Sequence, residues 1–100
     1  MSKVKHIVLL KFKDGITEEQ IDSFFDEVLD ISETATGVED YVSGTNCSLE
    51  KLNQGFTHGF VMTFTDAPIR DAFIASEEHS RYKKLVESIV ETTTVFDFEL

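Results

Sequence analysis

Residues 3–13 (KVKHIVLLKFK) alternate between two faces. Val4, His6, Val8, Leu10 and Phe12 share one face, and Ile7 and Leu9 share the other with lysines. A period of two predicts a half-buried strand, and Asp14-Gly15 ends it. Thr17 with Gln20 three residues on forms a capping box, and Glu18 and Glu19 suit the positive end of a helix dipole. The helix then places Ile21, Phe24, Phe25 and Val28 at helical spacing, with Leu29 and Ile31 widening the stripe. It should end near residues 34–37. Residues 38–44 (VEDYVSG) predict a second, weaker strand. Residues 45–55 are a polar connection, with room for one helical turn at Leu49–Leu52.

Residues 56–65 (FTHGFVMTFT) return to strict alternation, with Phe56, His58, Phe60, Met62 and Phe64 on one face. Gly59 inside this strand permits a bulge or a close approach. Asp66 caps a helix that tolerates Pro68 in its first turn and carries Ile69, Phe73 and Ile74. The helix breaks near Ser76 and restarts at Ser76-Glu77-Glu78, with Tyr82, Leu85, Val86, Ile89 and Val90 as its stripe. His79 falls in that first turn, on the buried side. Thr92–Phe98 closes the chain as a strand in which Thr93, Val95 and Asp97 alternate against Thr94, Phe96 and Phe98.

The order strand–helix–strand–strand–helix–strand predicts a ferredoxin-like α+β sandwich with the βαββαβ arrangement. Both helical stretches then cover one face of a four-stranded sheet. The other face exposes Ile7, Leu9, Val61, Phe96 and Phe98, more contiguous apolar surface than a monomer usually leaves in water. A symmetric dimer burying sheet against sheet resolves this most simply.

Composition narrows the function classes. One hundred residues suit a single domain, 1–100, with one core that needs no covalent staple. Nineteen acids against nine bases give a net charge of −10, which repels nucleic acid and anionic membranes. Many of the acids (Glu18, Glu19, Asp22, Asp26, Glu27, Asp30) sit on the first helix as a solvated face. Cys47 is the sole cysteine, so no intrachain disulfide forms. The N-terminus moves straight into a strand without a long apolar run, so a soluble, cytoplasmic protein is expected.

Chemistry centres on the three histidines, because imidazole titrates nearest neutral pH. His6, His58 and Asp97 fall on the same faces as Val8, Leu10, Phe60, Met62 and Val95, toward the helices. His79 looks down on that layer from a helix N-terminus, which disfavours the imidazolium and keeps a base neutral. Asp97 is placed to orient it. The competing reading makes His6 and His58 satisfied packing residues. Two histidines and a carboxylate also compose a metal triad, but no HxH or HxxxH spacing is present and no metal or other cofactor is expected.

The pieces Val4-Lys5-His6, Leu9-Leu10-Lys11-Phe12-Lys13-Asp14, Gln54-Gly55-Phe56-Thr57-His58, Thr63-Phe64, His79 and Phe96-Asp97-Phe98 resemble the stress-responsive A/B barrel (Dabb) family from about residue 3 onward. The resemblance implies a homodimer, a dimeric α+β barrel in which two sheets close a central barrel, with a cavity between sheet and helices in each subunit. It also implies that His79 matches the catalytic histidine of the family's cyclase members. Strand-borne pocket residues match His6, Val8, Leu10, His58, Phe60, Met62, Val95 and Asp97; helix-borne ones match Phe24, Phe25, Val28 and Tyr82. The tyrosine that partners the catalytic histidine matches Phe73, which has no hydroxyl.

Three functions follow as expectations. In the first, His79 with Asp97 removes a proton beside a carbonyl of a small polyketide-like or aromatic molecule, as a cyclase or isomerase does. The second is a non-enzymatic stress-response dimer that binds an apolar ligand or has a structural role. The third is a cofactor-free monooxygenase. If Phe24, Phe25, Phe60, Met62 and Phe73 fill the space between sheet and helices, there is no cavity and catalysis fails; an open pocket of several hundred Å³ touching His79 favours ligand binding.

Overall fold

The computed structural model describes residues 2–100. Four strands, β1 (Val4–Phe12), β2 (Val38–Thr45), β3 (His58–Phe64) and β4 (Val90–Glu99), form one antiparallel sheet in the order β2-β3-β1-β4. Three helices accompany it: α1 (Glu18–Thr34), α2 (Ala67–Ile74) and α3 (Glu77–Ile89). This is the ferredoxin-like α+β arrangement, with its second helical stretch split in two.

The ends of the helices are set by the residues the sequence singles out. Gln20 N donates to Thr17 Oγ1 (3.2 Å) and Thr17 N donates to Gln20 Oε1 (2.9 Å), completing the capping box of α1. Asp66 Oδ1 accepts from Ile69 N at 2.9 Å and starts α2. Ser76 performs two tasks at the break: its hydroxyl donates to Phe73 O (2.6 Å) and accepts from His79 N (3.2 Å). One hydroxyl thereby serves a C-terminal carbonyl of α2, which also accepts from Ser76 N, and an orphan amide of α3.

The core lies between β1–β3 and the helices. Val4, Val8, Leu10, Val28, Ile31, Met62 and Phe64 are almost wholly buried. Each such side chain contributes about 1.5–3 kcal/mol relative to exposure. The alternation along β1 is the predicted one, with Val4, His6, Val8, Leu10 and Phe12 buried. On the outer face Leu9, Phe96 and Phe98 are exposed as expected and Ile7 and Val61 are half-buried, while Val42, outside the expected set, is exposed as well.

Three details differ from expectation, and the two alternatives open at Gly59 resolve to one. The turn at Leu49–Leu52 does not form; Lys51 adopts φ +58°, which interrupts any helical run, and both leucines are exposed. The third strand begins at His58, since Asn53–Phe56 close a turn through Phe56 N to Asn53 O (2.9 Å). Val90 opens β4 and does not continue the stripe of α3; its amide still donates to Val86 O as the helix ends. Gly59 carries no bulge, because the β1–β3 register runs unbroken from Val4↔Phe64 to Leu10↔His58. It serves close approach: a Cβ there would lie 3.0 Å from Val8 O.

Candidate functional site

Strand alternation delivers His6 and Asp97 to the helix side as a directly opposed pair on β1 and β4. His6 Nδ1 lies 2.8 Å from Asp97 Oδ1, and the carboxylate fixes the tautomer that donates from Nδ1. The other carboxylate oxygen accepts from Arg70 Nη1 of α2 at 2.6 Å. Arg70 Nε in turn donates to Asp71 Oδ1 at 2.8 Å. Asp71 and Asp97, in that order, push the guanidinium still higher than its ordinary range. The result is a relay, His6–Asp97–Arg70–Asp71, that ties three elements together.

Arg70 escaped the sequence reading, although the cost of a carboxylate on a buried face demanded a partner. Only the docking of α2 over β4 shows which cation supplies it. The same bonds correct a second expectation. Asp97 does not orient His79, because both of its oxygens are engaged by His6 and Arg70.

His79 sits in the first turn of α3 as predicted, its backbone amide bonded to Ser76. Its ring packs against Phe73 (centroids 5.4 Å, near perpendicular) and Tyr82 (5.7 Å). Nδ1 is buried and has no hydrogen-bond partner among the described residues. Burial, then the charges of Lys83 and His6, hold the imidazole below its ordinary pKa. His79 is therefore neutral at pH 7 with an unengaged nitrogen in an aromatic surround, the state a general base requires.

A second buried polar atom among the described residues, the hydroxyl of Tyr41 on β2, makes no well-formed hydrogen bond, although Ser43 lies near enough to interact with it. Tyr41 and Tyr82 both pack on Phe60, at 5.7 and 5.8 Å between centroids. Burial raises both phenols; Ser43 offsets part of the rise at Tyr41, and Tyr41 adds to the rise at Tyr82. Tyr41 was not among the residues the sequence pointed to, because its strand is weakly patterned. Its alternation with Val42 is the signal that could have found it.

The remaining predicted residues divide. Val8, Leu10, Phe24, Val28, Phe60, Met62 and Phe73 are buried together, and Phe25 and Tyr82 pack on them. Phe24, Phe60, Met62 and Phe73 thus fill the layer, and Phe73 and Tyr82 occupy the space beside His79. His58 stands apart at the other end of the sheet, stacked on Phe25 (5.7 Å) with Nδ1 2.8 Å from Thr57 Oγ1. Val95 does not line a closed pocket; it is 55% exposed because β4 is an edge strand beyond the helices. The helix side instead carries an open groove of about 630 Å³ between α1 and α3, with Gln20, Phe24, Leu85 and Ile89 in its walls. The ring of Phe24 is 6.3 Å from that of Tyr82, so the groove floor is one side chain removed from His79's neighbour. Among the described residues no three His, Cys, Asp or Glu side chains are grouped so as to hold a metal ion.

The chain is similar to known proteins over nearly its whole length. It is 28% identical to olivetolic acid cyclase of Cannabis sativa over 95 residues, covering 95% of this chain and 94% of the relative. The crystal structure of an Arabidopsis thaliana protein superposes with a TM-score of 0.91 at 27% identity, covering 97% of this chain and 94% of that one. A protein of Thermobifida fusca, described as a dimeric ferredoxin-like protein of unknown function, matches at TM-score 0.83 and 15% identity, covering 99% and 92%. Residues 4–100 match the Stress responsive A/B Barrel Domain, and the chain belongs to that family.

Proposed function

We propose that this protein binds and converts a small aromatic or polyketide-like carbonyl compound, with His79 as general base. One observation carries the reading. Among the described residues, the two buried polar side-chain atoms without a hydrogen bond, His79 Nδ1 and Tyr41 OH, belong to the two ends of one row of rings, Tyr41 on Phe60, Phe60 on Tyr82 and Tyr82 on His79. Buried polar groups are nearly always satisfied, so two orphans in one aromatic surround call for a polar molecule between them. A carbonyl compound fits: the tyrosine hydroxyl donates to the ketone oxygen while the imidazole takes a proton from the adjacent carbon. Tyr41 supplies the hydroxyl that Phe73 lacks. The family membership and the similarity to olivetolic acid cyclase agree with conversion of a small molecule.

Phe73 and Tyr82 fill the space beside His79 in this structure, so the reading requires Tyr82 to turn aside and open a path past Phe24 from the groove between α1 and α3. Asp97 acts through His6, holding it as a polar point in the pocket wall. His58, Val8, Leu10, Phe25, Val28, Met62 and Val95 contribute shape and not protons. The working unit is a homodimer, closed through the outer face of the sheet, and no nucleic acid, membrane or cofactor takes part.

The test is exchange of the methyl protons of acetophenone in D2O, followed by proton NMR. The protein is expected to accelerate exchange, His79→Ala to abolish the acceleration, and Tyr41→Phe to reduce it by roughly 10²–10³-fold, as loss of one oxyanion donor does. Acceleration that survives in His79→Ala ends the base assignment. Saturable binding of acetophenone without any exchange would favour the non-enzymatic ligand-binding dimer.

A further inference from the structure

The helix side of the fold is apolar within and acidic where it opens. The groove between α1 and α3 has Phe24, Leu85 and Ile89 in its walls, and its charged wall residues are Glu19 and Glu27. Arg81 reaches across it, but Glu27 and Asp30 both hold the guanidinium, so the three together carry one net negative charge. Glu19 joins no ion pair among the described residues. Three smaller openings, of about 190, 230 and 230 Å³, repeat the pattern. Glu78 lines the first, Glu33, Glu39 and Asp40 the second, and Glu18 and Asp22 the third. No lysine or arginine lines any of the four, and of these six carboxylates only Glu39 is paired among the described residues, with Lys3 at 2.8 Å. Lys83, whose charge is felt by His79, lies two residues from Leu85 and so on the side of α3 away from the groove.

We infer that these carboxylates sort substrates by charge, admitting uncharged or cationic carbonyl compounds to His79 and turning away those that bear a carboxylate. This rests on the carbonyl-converting reading above and narrows its substrate class. An entrance charged with one sign over low-dielectric walls focuses its field, drawing in opposite charge and repelling like charge. Selection by repulsion needs no contact made for the rejected molecule. The interior works in the same direction. Phe60, Phe73 and Tyr82 around His79 supply no cation, and a carboxylate buried there without a partner is costly.

Three aryl ketones that differ in one substituent test the inference: acetophenone, para-acetylbenzoate and para-acetyl-N,N,N-trimethylanilinium. Ligand-observed NMR titration gives each dissociation constant, and exchange of the acetyl protons in D2O is followed in the same samples. At about 0.01 M salt, para-acetylbenzoate should bind roughly tenfold or more weakly than acetophenone, and the trimethylanilinium at least as tightly. At about 1 M salt the gap should close, because screening then reaches only about 3 Å. Glu19→Lys should narrow the low-salt gap several-fold. Glu50→Lys makes the same change of net charge in the exposed connection between β2 and β3 and should leave the gap in place. Both positions are exposed, so the fold tolerates either change. If para-acetylbenzoate binds as tightly as acetophenone at low salt, the inference is overturned. An equal response to the two lysine variants overturns it too, since net charge and not the groove would then be the cause. Failure of the base assignment reads differently: the affinities keep their ranking while no ketone exchanges. Binding by none of the three overturns both.

Discussion

His79 and Asp97 show how much a single residue's role depends on its neighbours. Both reach the helix side of the sheet, as alternation and the first turn of α3 require. The carboxylate, however, belongs to His6 and Arg70. His79 is left with an aromatic surround and no counter-charge. Its lowered pKa has a consequence for stability. The unfolded chain protonates this imidazole near pH 6.5, the folded chain only lower, so the unfolded state binds more protons in between. The contribution is fully present above about pH 6.5, erodes as pH falls below it, and stops changing once the folded pKa is passed. Urea midpoints measured between pH 7 and pH 5 should therefore fall more steeply for the wild type than for His79→Gln. Equal slopes would show that burial leaves the imidazole free to charge.

At the scale of elements, the helix ends carry most of the local information. Thr17, Asp66 and Ser76 all act as the sequence pattern requires, because a cap is a contact between residues three positions apart. Gly37, just beyond α1, is more demanding. It has φ +83°, and a Cβ there would come within 2.1 Å of Ile69 Cγ2 on α2. The glycine both turns the chain into β2 and lets α2 lie against the turn, while Gly37 O accepts from Thr65 N (3.1 Å). Gly37→Ala is expected to destabilise by roughly 1–3 kcal/mol through the strained backbone and the displaced isoleucine. Denaturant unfolding would measure it, and a loss below a few tenths would mean that Ile69 simply moves aside. By contrast, Arg81 of α3 bonds both Glu27 and Asp30 of α1 across the groove, yet all three are exposed. Pairs of this kind contribute little, so the groove is free to widen.

For the whole molecule, charge and apolar surface oppose each other. In the proposed homodimer, two chains of net charge −10 bring like charge together, while the outer face offers Val42, Phe96 and Phe98 for burial. Screening reaches about 10 Å at roughly 0.1 M salt, so higher salt relieves the repulsion without weakening apolar contact. The proposed dimer should therefore tighten as sodium chloride is raised, read by light scattering at fixed protein concentration. Dissociation on adding salt would point instead to ion pairs as the cohesive force. The negative charge also fits the absence of any nucleic-acid role in the proposed function.

Local pattern alone determined the elements, their order and the face each residue takes. Period-two alternation and helical spacing are properties of adjacent residues, and capping acts within one turn. So Val8, Leu10, Phe60 and Met62 were legible as core, and the bare apolar outer face was legible with them. The tertiary structure decided who touches whom. Arg70 found Asp97 twenty-seven positions away, Tyr41 and His79 were left unpaired around Phe60 and Tyr82, and Val95 was left exposed at the sheet edge. Those outcomes depend on how α2 and α3 lie across the sheet and on which strand stands at its margin. No local spacing encodes either, because both are set by the joint packing of distant segments.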